Sequence, residues 1–328
     1  MKSRKALITG ITGQDGYHLT EHLLSLGYDI YGLSNGQREA SGERFLQEFP
    51  EVELIKGDLT DLGSLAQAIE TAEPDEIYNL GAISFVGMSF KQPEMTANVT
   101  GLGTLRLLDA IRLVGISKQV RTYQASSSEM FGKVRETPQN EETPFHPRSP
   151  YGVAKTFAHY SCVNYREAYD MYISCGILFN HEGERRGYEF VTRKISSTVA
   201  RIKLGLSHEL RLGTLSPRRD WGYAGDYVKA MHLMLQAEKA DDFVIATGET
   251  HSVEEFVNLA FEVVGIENGL EKYVKIDPEF KRPAEVDLLI GDGTKAEQIL
   301  GWKPTVGFKE LVQKMVENDL KVESNKRK

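Results

Sequence analysis

Apolar and polar positions follow a repeating order along the first half of this 328-residue chain. Short apolar runs at residues 6–9, 52–55, 76–80, 120–125 and 172–178 read as strands, and a further strand lies in GYDIYGL. Between them, apolar residues recur every three or four positions at 17–26, 62–71, 93–114 and 151–170, the spacing of amphipathic helices. Strand and helix in strict alternation predict a parallel sheet with helices on both faces. Beyond about residue 180 the pattern changes. NHEGERRGYEF is a polar loop, 190–205 a helix, 216–219 a Pro-Arg turn, 225–237 a helix, and DFVIATG a strand. In SVEEF, Ser252 is expected to cap a helix, with Glu255 as its reciprocal partner. RPAEVD is a charged loop, and an amphipathic helix at 309–321 follows.

Composition is ordinary for a globular protein, and it narrows the function by exclusion. A net charge of −8 and an isoelectric point near 5.6 argue against general nucleic-acid binding. No apolar run approaches the roughly 20 residues of a membrane span. The chain enters a strand at once, which leaves no room for a signal peptide, so a cytoplasmic protein is expected. Cys162 and Cys175 lie in apolar surroundings and suggest neither a disulfide framework nor a metal site. The basic tail, 321–328, reads as a frayed solvated end.

The first strand leads into GITGQDG, with Gly10, Gly13 and Gly16 in a GxxGxxG spacing before a helix. Glycines there allow a tight turn and let backbone N–H groups approach a pyrophosphate at the helix N-terminus. The fold class is therefore α/β, a Rossmann-type doubly wound parallel sheet with a smaller mixed α/β substrate-binding domain. Residues 1–180 and about 220–248 are assigned to dinucleotide binding, and 181–219 with 249–328 to the substrate domain. Gly57-Asp58-Leu59 follows a strand, where the carboxylate suits an adenine amine. Asn79-Leu80-Gly81-Ala82 follows the next strand, on the edge where such sheets bind ligands.

Tyr151 and Lys155 are four residues apart, one helical turn, in SPYGVAK. Alone the spacing is loose and also occurs on solvated helix faces. An ammonium beside a phenol favours the phenolate and is expected to lower the Tyr151 pKa. So tuned, Tyr151 takes a proton from a sugar or alcohol hydroxyl as a hydride leaves the same carbon. Upstream, QASSSEMFG offers Ser127, a hydroxyl to orient a substrate, and Glu129, a carboxylate that simple alcohol oxidation does not need. Arginines in the loops of the second half are either solvated or, facing the ligand edge, suited to a diphosphate.

Together these stretches resemble the GDP-mannose 4,6-dehydratase family of extended short-chain dehydrogenases/reductases. The resemblance runs nearly end to end, through GITGQDG, GDLTD, YNLGA, YQASSSEMFGKV, PFHPRSPYGVAK, GILFNHE, RDWGYAGDYV and RPAEVDLLIGD. It implies conversion of GDP-mannose to GDP-4-keto-6-deoxymannose, with internal hydride transfer from C4 through NADP to C6. The family's catalytic positions fall on Ser127 (usually Thr), Glu129, Tyr151 and Lys155. Its cofactor contacts fall on Gly10, Thr12, Gly13, Gln14, Asp15, Gly16, Asp58, Leu59, Leu80, Gly81, Ala82, Ser84, Lys155, His181 and Arg186. GDP-sugar contacts fall on Ser84, Phe85, Glu129, Asn180, Lys194, Arg219, Arg282 and Glu285. A homo-oligomer, dimer or tetramer, is implied, and no metal, membrane or nucleic-acid partner.

Two departures qualify this reading. Where the family carries an Arg-Arg-Ser-Ser run for the adenosine 2′-phosphate, this chain has Asn35, Gly36, Gln37 and Arg38. Arg38 remains for that phosphate, so NADP is favoured and NAD stays open. The family's SHVKVSF reads SFVGMSF here, with Phe85 for His and Gly87 for Lys. Room gained at Gly87 makes a GDP-manno-heptose the alternative substrate. A GDP-sugar reductase or epimerase of the same fold, or a non-catalytic dinucleotide sensor, are further readings.

Overall fold

The computed structural model describes residues 3–36, 39–280, 284, 286 and 288–326. The sequence-assigned Arg38, Arg282 and Glu285 lie outside the described residues. Strands β1 (Lys5–Thr9), β2 (Asp29–Ser34), β3 (Glu53–Lys56), β4 (Glu76–Asn79), β5 (Arg121–Ser127) and β6 (Ile173–Leu178) join Asp242–Ile245 in one sheet. Its order is Asp242–Ile245, β6, β5, β4, β1, β2, β3, and every pairing in it is parallel. The chain starts at β1, winds outward to β3, then returns past β1 to β4. The strand order thus reverses between β1 and β4, opening a crevice at their C-terminal ends.

Apolar residues on the two sheet faces build two separate cores. Ala6, Ile8, Leu19, Leu23 and Phe45 join Tyr227, Met231 and Phe243 on one face. Leu7, Ile69, Ile77, Leu107, Ile111 and Ile173 lie on the other. A third cluster, from Ile195, Val199, Phe256, Val257, Leu311 and Met315, holds the helices of the second half together. Ala296 and Trp302, late in the chain, pack into the first cluster.

Local signals place most helices, with differences. The first helix, α1, spans Gln14–Ser25 and starts earlier than its apolar pattern, because the polar Gln14, Asp15 and Gly16 after the extended Gly13 already belong to it. The single helix expected at 93–114 is three pieces, Pro93–Thr96, a π-helical stretch Ala97–Leu102, and Gly103–Val114. In the widened stretch Thr100 Oγ1 accepts a hydrogen bond from Ile83 N at 3.1 Å, and Gly101 lies against Ala154 and Phe157 of the helix Pro150–Tyr169. Ser252 caps Val253–Val263 as expected, accepting from Glu255 N at 3.0 Å. The reciprocal bond is not the one Glu255 makes. Its carboxylate accepts from Arg218 at 2.8 Å and pairs with His251 at 2.9 Å. Nor does the tail fray at residue 321. The last helix runs Phe308–Asn325, where Glu323 binds Arg201 at 2.9 Å and Lys326 at 2.6 Å. Among the described residues no helix is long and apolar enough to cross a membrane.

Candidate active site

The turn from β1 to α1 forms the floor of the crevice. Gly10 has a φ of +68°, and a Cβ there would lie 2.9 Å from the backbone of Gly81. At Gly16 a Cβ would meet Ile11 O at 2.1 Å, so helix and strand could not pack this closely with any other residue. Gly13 N donates to Gly10 O at 2.9 Å, and no side chain caps α1. The partial positive charge of the helix N-terminus therefore faces the crevice without a competing side-chain acceptor at the cap. Beneath, a buried polar network ties β1, β4 and β5 together. Thr9 Oγ1 donates to Asn79 Oδ1 at 2.7 Å and accepts from Gly81 N at 2.9 Å. Asn79 Nδ2 donates to Gln124 Oε1 at 2.7 Å.

A cleft of about 290 Å³ opens above this floor. It is lined by Gly10, Thr12, Gly13, Gln14, Asp15, Gly16, Leu80, Gly81, Ala82, Ser84 and Phe85, from the turns that follow β1 and β4. Ser127, Glu129, Tyr151, Lys155, Asn180, His181 and Arg186 complete its wall. Residues separated by more than 170 positions in sequence thus meet in one cavity.

Tyr151 and Lys155 occupy the first turns of helix Pro150–Tyr169, which Ser149 caps by accepting from Gly152 N at 3.0 Å. Both side chains are buried, at 8% and 4% exposure. Lys155 Nζ lies 5.7 Å from the Tyr151 ring centroid and donates to Ala125 O at 2.6 Å. Burial pushes the Lys155 ammonium down to about 8, against the opposing charge of Asp15. The expected lowering of Tyr151 is overturned. Burial, reinforced by the negative charge of Glu129, pushes its phenol up to about 12, although a hydrogen bond with Ser127 works the other way. Desolvation of the phenolate outweighs a lysine whose hydrogen bond goes elsewhere. Ser127 ends β5 and accepts from Glu129 N at 3.2 Å, which seats the buried Glu129 beside it.

Asp15, in the first turn of α1, pairs with His181 at 2.9 Å. Burial alone would raise Asp15, but His181, Gln14 and Arg186 together hold its carboxyl far below the usual range. Burial likewise opposes the charge on His181, and Asp15 and the Phe179 carbonyl override it, raising the imidazole. The ring also stacks on Tyr227, with centroids 4.8 Å apart. Arg186 pairs with Glu182 at 2.9 Å and lies over the Phe190 ring at 3.6 Å. Phe190 in turn meets Phe85 edge-on at 5.6 Å. The room expected at Gly87 is not there: a Cβ on Gly87 would lie 3.0 Å from Phe85 Cζ, so the phenyl ring fills that space itself.

Four assigned residues do not line the cleft. Asp58 accepts from Thr60 N and Thr60 Oγ1, both at 2.7 Å, and Leu59 packs under Gly81. Lys194 sits 3.1 Å from the Phe280 ring centroid, and the buried Arg219 donates to Arg218 O at 3.0 Å. Of the described loop arginines, only Arg186 lines the cleft. Arg185 pairs with Glu48, and Arg218 with Glu255. Val86, Ala125, Ser126, Ser128, Leu178, Phe179 and Phe190 also line it without having been assigned. Ala125 acts through its carbonyl, which leaves no side-chain signal. Ser126 and Ser128 were legible as neighbours of Ser127 in the serine run.

Among the described residues one cluster has ligand atoms close enough for a metal, namely His159, Cys175 and Asp242. Arg166 occupies both Asp242 oxygens at 2.9 and 3.0 Å, and its positive charge opposes a cation there.

Comparisons with known proteins agree in direction. The sequence model of a family described as GDP-mannose 4,6 dehydratase matches residues 7–315. The GDP-mannose 4,6 dehydratase 2 of Arabidopsis thaliana is 51% identical over 97% of this chain and 87% of its own length. The GDP-mannose 4,6 dehydratase of Homo sapiens is 50% identical over 97% and 91%. Among solved structures, a UDP-glucose 4-epimerase from Thermus thermophilus in complex with NAD is 27% identical, with a TM-score of 0.82 over 96% of this chain and 98% of that one. A dTDP-glucose 4,6-dehydratase from Bacillus anthracis shares the fold, with a TM-score of 0.83 at 20% identity over 98% of each chain.

Proposed function

This chain belongs to the GDP-mannose 4,6-dehydratase family, and on that premise we propose that it dehydrates GDP-mannose to GDP-4-keto-6-deoxymannose. The observation that carries the reading is the buried Glu129 at the cleft wall, next to Ser127 and close enough to Tyr151 to raise its pKa. A reductase or epimerase on this scaffold needs the Tyr–Lys pair but no such carboxylate.

Gly10, Gly13, Gly16, Gly81, Asp15 and His181 fit a dinucleotide: at Gly10, Gly16 and Gly81 a Cβ would run into neighbouring protein atoms, so these glycines let the turn close tightly beside an uncapped helix end that lines the cleft. When bound, a nicotinamide supplies hydride acceptance at C4 and hydride return at C6, so a turnover consumes no external oxidant. Tyr151 acts from its phenolate: its own proton leaves to solvent first, the positive charge of Lys155 favours that ionised form, and the phenolate then takes the C4 hydroxyl proton and becomes phenol again. Ser127 holds the hydroxyl in line. With a ketone at C4 the C5 proton is acidic; Glu129 removes it and protonates the C6 hydroxyl, which leaves as water. Reprotonation at C5 completes the 4-keto-6-deoxy sugar.

NADP is the proposed cofactor over NAD, with Arg38 as ligand for the 2′-phosphate. Lys194 and Arg219, with Arg282 and Glu285, are proposed to meet the GDP moiety beyond the cleft wall. Residues 1–180 and 220–248 serve as the dinucleotide-binding domain, and the remainder as the GDP-sugar domain. Helix Pro150–Tyr169 leaves Val153, Phe157 and Tyr160 exposed on one stripe beside Met95 and Leu102, which supports a homo-oligomer through that face. A cytoplasmic location suits a nucleotide-sugar substrate. The test is incubation of the purified protein with GDP-mannose and no added cofactor. Formation of a base-sensitive keto sugar supports the reading, whereas unchanged GDP-mannose, or a mannose epimer, overturns it.

A further inference from the structure

The buried face of helix Pro150–Tyr169 that carries Tyr151 and Lys155 continues one turn further, to His159. That imidazole is 3% exposed. The end of β5 meets this face turn by turn. Ser127 bonds Tyr151, the Ala125 carbonyl receives Lys155 Nζ at 2.6 Å, and Ser126 Oγ lies 3.0 Å from His159 Nδ1. Ser126 is the residue between the two anchors, and it lines the cleft. Behind the ring, His159 Nε2 stands 3.7 Å from Asp242 Oδ2. Arg166 clamps that carboxylate with two bonds and donates to Ile173 O at 2.9 Å, tying Asp242 to β6. Phe145 and Tyr160 pack edge-on against the imidazole, with centroids at 5.2 and 5.5 Å, and close it off from water.

A buried imidazole costs desolvation that an apolar side chain would avoid, so packing alone gives no reason for one here. We propose that His159 is a positioning residue for the dehydration: braced by Asp242, it fixes Ser126, and with it the Ala125 carbonyl that aims Lys155 and the Ser127 hydroxyl that meets Tyr151. His159 itself touches no reacting atom. Its hold on Ser126 prevents the strand end from rotating, which would move both neighbouring anchors at once. The proposal rests on the dehydratase reading for its kinetic consequence but not for its structural one.

The experiment compares His159→Phe, His159→Asn and Ser126→Ala with the wild type. Asn places a polar atom where His159 has Nδ1, so it keeps the partner of Ser126 and loses the link to Asp242. For His159→Phe the expected result is a kcat at least tenfold lower, with KM for GDP-mannose within twofold. His159→Asn should recover much of the loss, and Ser126→Ala, which removes one oxygen and leaves the fold intact, should lower kcat by a similar factor. Adding Ser126→Ala to His159→Phe should cost little more. A kcat for Ser126→Ala within twofold of wild type, or no recovery in His159→Asn, overturns the proposal. A second readout needs no substrate, namely the rate at which acetic anhydride acetylates Lys155, followed by peptide mass spectrometry. Faster acetylation in Ser126→Ala at unchanged melting temperature supports the positioning role even if GDP-mannose is not the substrate. An unchanged rate overturns it, whatever the fate of the dehydratase reading.

Discussion

Lys155 Nζ lies 5.7 Å from the centroid of the Tyr151 ring, yet its hydrogen bond goes to the Ala125 carbonyl at 2.6 Å. The lysine is therefore not the hydrogen-bond partner of the phenol. Burial pushes the Tyr151 phenol up to about 12, so the proposed proton acceptor is a phenolate whose own proton must first leave to solvent. Tyr151→Phe is expected to lower kcat by about 10²–10⁴-fold, the usual contribution of a general acid–base group. The phenyl ring keeps the packing, so thermal stability should hardly change. A twofold loss in steady-state keto-sugar formation would assign that step to another group.

Glu129→Gln keeps the shape of the buried side chain and removes its basicity. Dehydration should fall by at least about 10²-fold, while equilibrium binding of GDP and of the dinucleotide stays near wild type. Transient absorbance at 340 nm on mixing with GDP-mannose would show that oxidation at C4 survives when elimination does not. Near-normal product formation by this variant would remove Glu129 from the reaction.

The Asp15–His181 pair gives a pH signature. Asp15 is held below its unfolded value of 3.8, so its contribution is complete above that pH and is lost as pH falls through the folded value. His181 is raised above 6.5, so its contribution is complete below that pH and is lost as pH rises through the folded value. The pair is strongest between these limits. In Asp15→Asn the deficit in unfolding free energy, from urea titrations, should peak between pH 3.8 and 6.5 and shrink on either side. The His181 ring should also titrate lower by NMR, because burial then acts without its opposing carboxylate. An unmoved His181 titration would refute the pairing.

Phe85 and Gly87 are one packing unit, since a Cβ at position 87 would sit 3.0 Å from Phe85 Cζ. Gly87→Ala gains up to about 1 kcal/mol of helix propensity and loses a comparable amount to overpacking, on the order of 1 kcal/mol. Near-zero change is therefore expected in the wild type and clear stabilisation in a Phe85→Ala background. A coupling energy below about 0.5 kcal/mol in that double-mutant cycle would show the two positions to be independent. Because the ring fills the expected room, kcat/KM should favour GDP-mannose over GDP-manno-heptose. The reverse ratio would restore the heptose reading.

For cofactor choice, Arg38→Ala should weaken NADP binding far more than NAD binding. A charge-assisted bond of roughly 1.5–3 kcal/mol corresponds to about 10–150-fold in dissociation constant. Equal losses for the two dinucleotides, measured by calorimetry, would assign the 2′-phosphate elsewhere.

Features that depend on neighbours in the chain were legible from the residues alone. The glycines at 10, 13 and 16 dictate the turn, the four-residue spacing puts Tyr151 and Lys155 on one helix face, and apolar periodicity sets the strand–helix alternation. End-to-end resemblance to one family carried the chemistry further than the spacing did. The tertiary structure decided what depends on which side chains reach each other across the fold. Glu255 kept its place beside the cap, but its carboxylate found Arg218 and His251 instead. Lys155 chose a backbone carbonyl, and Tyr151 rose instead of falling, because burial is a property of the surrounding shell and not of a four-residue motif. Phe85 filled the space that its neighbour's missing side chain had left. His159 met Ser126 and Asp242 from three separate elements, and no local pattern encodes that meeting, because only the sheet order brings β5, the helix Pro150–Tyr169 and the edge strand together.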